Sequence, residues 1–377
     1  MAIIKPIIET IELFQLASGD SLSIQLYKFQ GQTPGKKVYI QANLHGCEIV
    51  GNGVIHQLLE FFSNLDANQL VGEIWIVPTC NPLGTNQRGH FYATGGFNPY
   101  SGEDWNRIFW EYEPNEDELQ RFVKNHLNSD VEAIVKAYRK EITTAFATEL
   151  DRLSQPCGAS LPEHFRAKLQ GLCLDADSVI DIHSSSNEGL DFLYYFCDRE
   201  QQAQWFGFDY GILLSQGGDY AFDEAFIWPW IALEQAFLEA GRQLTFDING
   251  VTLELGTGMK MRPESIRKGV AGIKNYLIHQ GLLQTGEKQE YRTKFLPSQN
   301  ITRYRSPVGG MVKRKVSLGE NVKTGQCLYE VIRFNRIGTL PEIVPVHSMV
   351  DGLVFDLAIS ESVNQGEYVM SVLELSA

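Results

Sequence analysis

The chain has 377 residues and a formal net charge of −14, with 32 Lys and Arg against 46 Asp and Glu. That length suits about two domains of roughly 100–200 residues each, and the acidic balance argues against a broad nucleic-acid or anionic-membrane surface, which would need surplus Lys and Arg to neutralise phosphates. No apolar stretch reaches the ~20 residues that span a bilayer, and the first residues lack the basic region, apolar run and cleavage site of a signal peptide, so the cytoplasm is the expected location.

β-type residues from Lys37 to Leu44 run into His45-Gly46-Cys47-Glu48, after which Ile49, Val50, Val54, Ile55, Leu58, Leu59 and Phe62 repeat at helical spacing. The pattern predicts a strand, a loop and a helix. Further strand-like runs at Glu73–Val77, Ser178–Ile182, Phe192–Phe196 and Val251–Leu255 are separated by longer, partly helical stretches. This is the pattern of an α/β domain with a mixed, mostly parallel sheet flanked by helices. Ligands of such sheets gather beyond the C-terminal ends of the strands, and His45, His183 and Glu254 fall at or near those ends. The charged segment between Glu111 and Asp175 is expected to form an outer helical layer. The aromatic-rich stretch from Phe192 to Trp230 is expected to be mostly core, with some rings free to line a pocket.

The C-terminal part contains an internal repeat. Ser306–Val331 aligns with Met349–Val372, matching Gly310 to Gly352, Val312 to Val354, Val322 to Val363 and Gly325 to Gly366. Glycines at equivalent turns with alternating apolar residues between them predict two interlocking β-rich halves. The repeat resembles the barrel-sandwich fold of biotinyl and lipoyl carrier domains. Those carry a modified lysine between the halves, but no lysine follows Lys323 here. A structural or pocket-closing module is therefore expected rather than a swinging arm.

His45 and Glu48, three residues apart in a loop opened by Gly46, can converge on one ion, and His183 at the end of an apolar strand offers a third ligand. Two His and one Glu, with a fourth position open, form a common ligand set of hydrolytic zinc. The six cysteines (Cys47, Cys80, Cys157, Cys173, Cys197, Cys327) form no CxxC pair, so neither a thiolate site nor a disulfide framework is expected. Cys47, between two ligands, should point away from the ion. His56, His90, His126, His164, His279 and His347 fall into no ligand pattern.

In chain order HxxE, NPLG with Arg88 following, Asp104-Trp105-Asn106-Arg107, DIH around His183 and LELG around Glu254 resemble the succinylglutamate desuccinylase and aspartoacylase family, over about residues 35–260. The resemblance implies a zinc-carboxypeptidase-like hydrolase domain over 1–295 and a β barrel-sandwich domain over 296–377. It implies one zinc ion per chain on His45, Glu48 and His183, with Glu254 as general base, Arg88 beside the oxyanion, and Asn106 and Arg107 on a substrate carboxylate. Asp181, two residues before His183, is placed to orient a ligand imidazole. The expected activity is cleavage of the amide of an N-acyl amino acid or related small carboxylate-bearing amide. A zinc carboxypeptidase acting on short peptides and a metal-bearing ligand-binding protein without turnover are the alternatives. The expected partner is a small molecule rather than nucleic acid or membrane, and a homo-oligomer is compatible with the sequence.

Overall fold

The structure is a computed structural model and describes residues 3–215 and 217–375. Its large sheet has nine strands, in spatial order Ile7–Gln15, Ser21–Gln30, Val71–Val77, Thr33–Ala42, Ser178–Ser185, Asn249–Thr257, Asp191–Phe196, Tyr210–Leu214 and Lys294–Pro297. Thr33–Ala42 pairs in parallel with Val71–Val77 and with Ser178–Ser185, which pairs in parallel with Asn249–Thr257. Asp191–Phe196 joins that block antiparallel, and the N-terminal hairpin extends the other edge antiparallel. The fold is mixed α/β.

Strand alternation explains how both sheet faces are filled. On one face Val38, Ile40, Ala42, Ile180, Ile182, Val251 and Leu253 pack with Val54, Leu58 and Phe62 of helix Val50–Ser63 and with Ile273 and Tyr276 of helix Pro263–His279. On the other, Tyr39 and Val179 meet Ile227, Trp230 and Leu233 of helix Phe222–Glu239 and Ile134 and Tyr138 of helix Val131–Leu153. Each such side chain stabilises the fold by about 1.5–3 kcal/mol when fully buried. On the second face the alternation turns polar toward the strand ends. Gln41, Asp181, His183, Thr252 and Glu254 are successive or register-paired positions of the three central strands. Polar groups there cost stability unless partnered, and that is where the candidate site lies.

The charged segment expected as an outer layer forms helices Glu116–His126, Val131–Leu153 and Leu161–Gln170. Asn115 with Glu118 and Ser160 with Glu163 close capping boxes at the first and third, and Asp130 caps the second through Ala133 N at 2.7 Å. Their apolar stripes, including Phe122, Phe165 and Leu169, enter the same core.

The C-terminal part forms two small sheets whose pairing follows the repeat. Gly310 of the first half pairs with Val363 of the second, and Gly352 of the second with Val322 of the first. Val312, Val354, Val322 and Val363 are all buried in one cluster. Gly325 and Gly366 have φ of +85° and +87°, the left-handed turn conformation that glycine adopts without steric cost. The junction expected at 295/296 lies inside strand Lys294–Pro297, the edge of the large sheet. One short strand of the α/β part, Glu188–Gly189, pairs with Gly352–Leu357 of the C-terminal part.

Candidate functional site

The loop after Thr33–Ala42 is held by two asparagines. Asn43, at φ +69°, donates from Nδ2 to the carbonyls of His45, Gly46 and Glu48 at 3.2–3.3 Å. Asn81 donates to Leu44 O at 2.8 Å and caps helix Pro82–Asn86 by accepting from Gly84 N at 2.9 Å. Gly46 packs so closely on Gly84 that a Cβ would lie 2.0 Å from the Gly84 carbonyl carbon. The HxxE and NPLG segments thus form one rigid support, and Gly46 admits no side chain.

His45, Glu48 and His183 offer ligand atoms that all lie within 4.8 Å of one another. Nδ1 of His45 is 3.0 Å from Glu48 Oε1, and Nδ1 of His183 is 2.9 Å from Glu48 Oε2. Each ring is backed by an acid on its other nitrogen, His45 Nε2 at 2.9 Å from Asp104 and His183 Nε2 at 3.0 Å from Asp181. Carboxylates behind metal-ligating imidazoles fix ring orientation and raise ligand basicity. The donor types, their convergence through Nδ1 and these outer acids fit a divalent cation of the zinc kind.

The electrostatics agree. Burial alone would lower His45, but Glu48 and Asp104 outweigh it and lift the ring to about 9. Burial also opposes charge on His183, yet Asp181 and Glu48 raise it well above its ordinary value. The two imidazoles hold the Glu48 carboxyl well below the usual carboxylate range in spite of its burial. Glu48, Asp104 and Asp181 thus favour positive charge at the centre of the group, whether protons or a metal ion.

A cavity of about 620 Å³ opens beside this group, and Glu254, Asn106 and Arg107 line it together with His45, Glu48 and His183. Glu254 is the parallel-strand register partner of His183. Burial first, and then the charge of Glu48, push its carboxyl up to about 7 against the pull of His183 and His45. Asn106 is largely committed within the protein. Its Oδ1 accepts from Phe222 N at 2.8 Å, at the start of helix Phe222–Glu239, and its Nδ2 lies 3.5 Å from His183 Nε2. Arg107 donates to Asn106 O at 2.6 Å and is otherwise exposed along the cavity rim.

Arg88 stands apart from these residues. It sits in the short hairpin Arg88–Gly89/Tyr92–Ala93, is exposed, donates to Thr85 O and Gln87 O, and is absent from the cavity lining. The charged cavity residues that belong to no assigned motif are Asp219, Asp223, Glu224 and Arg303, and Tyr194 lines the cavity from the aromatic stretch expected to supply pocket rings. Asp104 was visible only as the head of the run that contains Asn106. Asp223 and Glu224 carry the ordinary signature of acids in a first helical turn, and Arg303 belongs to no motif.

The fold and site together define an α/β protein with a largely buried His-Glu-His metal-type group in a cleft at the ends of its central strands. Residues 34–280 match the model of the succinylglutamate desuccinylase/aspartoacylase catalytic domain, and the chain belongs to that family. A family protein from Shewanella amazonensis superposes with a TM-score of 0.87 at 29% identity, over 97% of this chain and 98% of that one. A second from Shewanella frigidimarina gives 0.88 at 26% identity, over 99% and 98%. The N-alpha-acetyl-L-2,4-diaminobutyric acid deacetylase of Halomonas elongata is 28% identical over 215 residues. That alignment covers 53% of this chain and 57% of the relative, little more than half the relative's length.

Proposed function

We propose that the protein is a zinc-dependent amidohydrolase that removes the acyl group from an N-acyl amino acid or a related small amide bearing a carboxylate. The observation that carries this reading is the convergence of His45, Glu48 and His183 in one cavity with Glu254. Family membership and the deacetylase relative support it. The same three residues would hold the zinc, which when bound supplies Lewis acidity that polarises a carbonyl and makes water a stronger acid.

Glu254 takes a proton from the attacking water while the water oxygen bonds to the amide carbon. It then gives that proton to the nitrogen as the carbon–nitrogen bond breaks, leaving a carboxylic acid and an amine, and the acid's remaining proton passes to the amine so that a carboxylate and an ammonium depart. A carboxyl held near 7 suits both transfers at neutral pH. Asp104 and Asp181 keep the two rings turned with Nδ1 inward. Arg107 receives the substrate carboxylate, for which a guanidinium offers two parallel donors. Asn106 holds the start of helix Phe222–Glu239 against His183 and shapes the pocket around that carboxylate. Arg88 is assigned to the oxyanion on sequence grounds; from its exposed hairpin it serves there only if the hairpin folds inward over the cleft. The C-terminal unit is read as a barrel-sandwich module that lends Arg303 to the cavity and narrows it to small substrates.

The test is metal analysis of the purified protein, followed by a hydrolysis screen of the zinc-loaded form with N-acyl amino acids varied separately in their two halves. Bound zinc with turnover of at least one such amide is the expected result. A metal-free protein inert to the whole panel would refute it.

A further inference from the structure

The C-terminal unit meets the α/β part along one face, and the contact is not filled. Across strands Ile301–Arg305, Tyr368–Leu373 and Gly352–Leu357, Arg303 pairs with Ser371, which pairs in turn with Asp356. A bulge between Val354 and Asp356 turns both Phe355 and Asp356 toward the α/β part. There the Phe355 ring centroid lies 4.7 Å from that of Phe192, and Asp356 accepts from the Ser185 hydroxyl. Ser371, the middle member of the row, is the smallest and is buried. Above it remains a chamber of about 350 Å³, within the roughly 300–1,000 Å³ of small-molecule sites.

This chamber adjoins the main cavity, for Ser185, Tyr194, Glu254, Ile301 and Arg303 line both. Four of its twelve lining residues, Phe192, Tyr194, Phe355 and Tyr368, are aromatic, so its walls offer ring surface to whatever enters. Beyond Glu254, the acid in its lining is Asp356, whose oxygens already accept from Ser185, Asn187 and Tyr368. That acid therefore calls for no cation. Arg303 stands at the shared mouth, where a guanidinium attracts the face of a ring. An aromatic group meets both features, through edge-to-face contact with the walls and cation–π attraction at the mouth.

Arg107 sets the direction of entry. It lines the main cavity but not this chamber. In an N-acyl amino acid the carboxylate lies on the amine side of the scissile bond and the acyl group on the other. With the carboxylate on Arg107 and the amide at Glu254, the acyl group extends into the chamber that shares Glu254 and lacks Arg107. We propose that this chamber is the acyl subsite and that it takes an aromatic acyl group, of benzoyl or phenylacetyl size, in place of acetyl. The chemistry rests on the hydrolase reading above; the selectivity rests on the chamber.

The experiment measures kcat/KM of the zinc-loaded protein for the Nα-acetyl, hexanoyl, benzoyl and phenylacetyl derivatives of alanine, glutamate, lysine and phenylalanine. Any compound that is not turned over is titrated calorimetrically, which reads binding without chemistry. An aromatic acyl group should raise kcat/KM at least about tenfold over acetyl on the same amino acid, with hexanoyl between them. Ser371→Leu fills the chamber and should cut the aromatic-to-acetyl ratio about tenfold, and Phe355→Leu, which removes one ring, about threefold. The ratio is internal to each protein, so a loss common to both substrates cancels, and the wild-type series decides alone if neither variant folds. Acetyl preferred over both aromatic groups, an aromatic preference unchanged in a folded Ser371→Leu protein, or one that follows the ring of the amino-acid half instead, overturns the proposal and leaves the hydrolase reading intact. Binding that selects the aromatic acyl compounds and is weakened by Ser371→Leu, with no hydrolysis of any amide, overturns the hydrolase reading and leaves the aromatic chamber standing.

Discussion

Val312 and Val354, and Val322 and Val363, occupy equivalent buried places in the C-terminal unit, and the same strand exchange joins them twice. Around His183 nothing is used twice. Its ring is positioned by Glu48, Asp181 and Asn106, which come from a loop, its own strand and the DWNR turn, and each contact is polar. A repeated apolar core tolerates the loss of one contact, because its neighbours still exclude water. A buried polar group that loses its partner bears the full cost of desolvation. The two regions should therefore respond differently to small changes, one in stability and the other in metal binding and turnover.

The largest effect should come from the ligands. His45→Ala is expected to abolish bound zinc and to lower hydrolysis by on the order of 10³-fold or more; metal analysis after dialysis and a rate assay check both. Glu254→Gln removes the base but no ligand, so metal content should persist while kcat falls roughly 10²–10⁴-fold. A variant that lost its zinc would place Glu254 among the ligands instead. Asp104→Asn and Asp181→Asn keep the shape but weaken the support of each ring, and zinc affinity, read by competition with a chelator, should drop about 10–100-fold.

The C-terminal unit should respond oppositely. Val312→Ala and Val354→Ala each delete buried methyl groups at matched positions and should each cost about 2 kcal/mol in denaturant unfolding, with zinc affinity unchanged. Unequal costs would break the equivalence of the two halves. The smallest effect expected is from Gly366→Ala, where a side chain at φ +87° costs about 1 kcal/mol.

The same contrast decides what the sequence reveals. The repeat is legible because equivalent residues are alike, and the three candidate ligands are legible because His45 and Glu48 share a loop and His183 ends an apolar strand. Asp181 is legible through its spacing of two from His183. The partnership of Asp104 with His45 spans 59 residues, and that of Asn106 with Phe222 spans 116. No local pattern encodes such contacts; only the folded sheet brings them together. Glu224 is hidden for a different reason, since an acid in a first helical turn looks ordinary until the turn is seen to face a cavity. The N-terminal hairpin Ile7–Gln15/Ser21–Gln30 carries no motif, although Leu22, Ile24 and Leu26 alternate with Ser21, Ser23 and Gln25 as in a half-buried strand.

Ser185, two residues beyond His183, donates to Asp356, which also accepts from Asn187 and from Tyr368 at 2.6 Å. All three candidate ligands have been synthesised by residue 183, yet the loop that follows the last of them is anchored by a residue 171 positions downstream of Ser185. The brace on this loop thus forms only once strand Gly352–Leu357 has been made, long after the candidate ligands. A growing chain that already carries every ligand would still lack the brace on this loop, and a truncated product ending before strand Gly352–Leu357 would be a poor competitor for zinc.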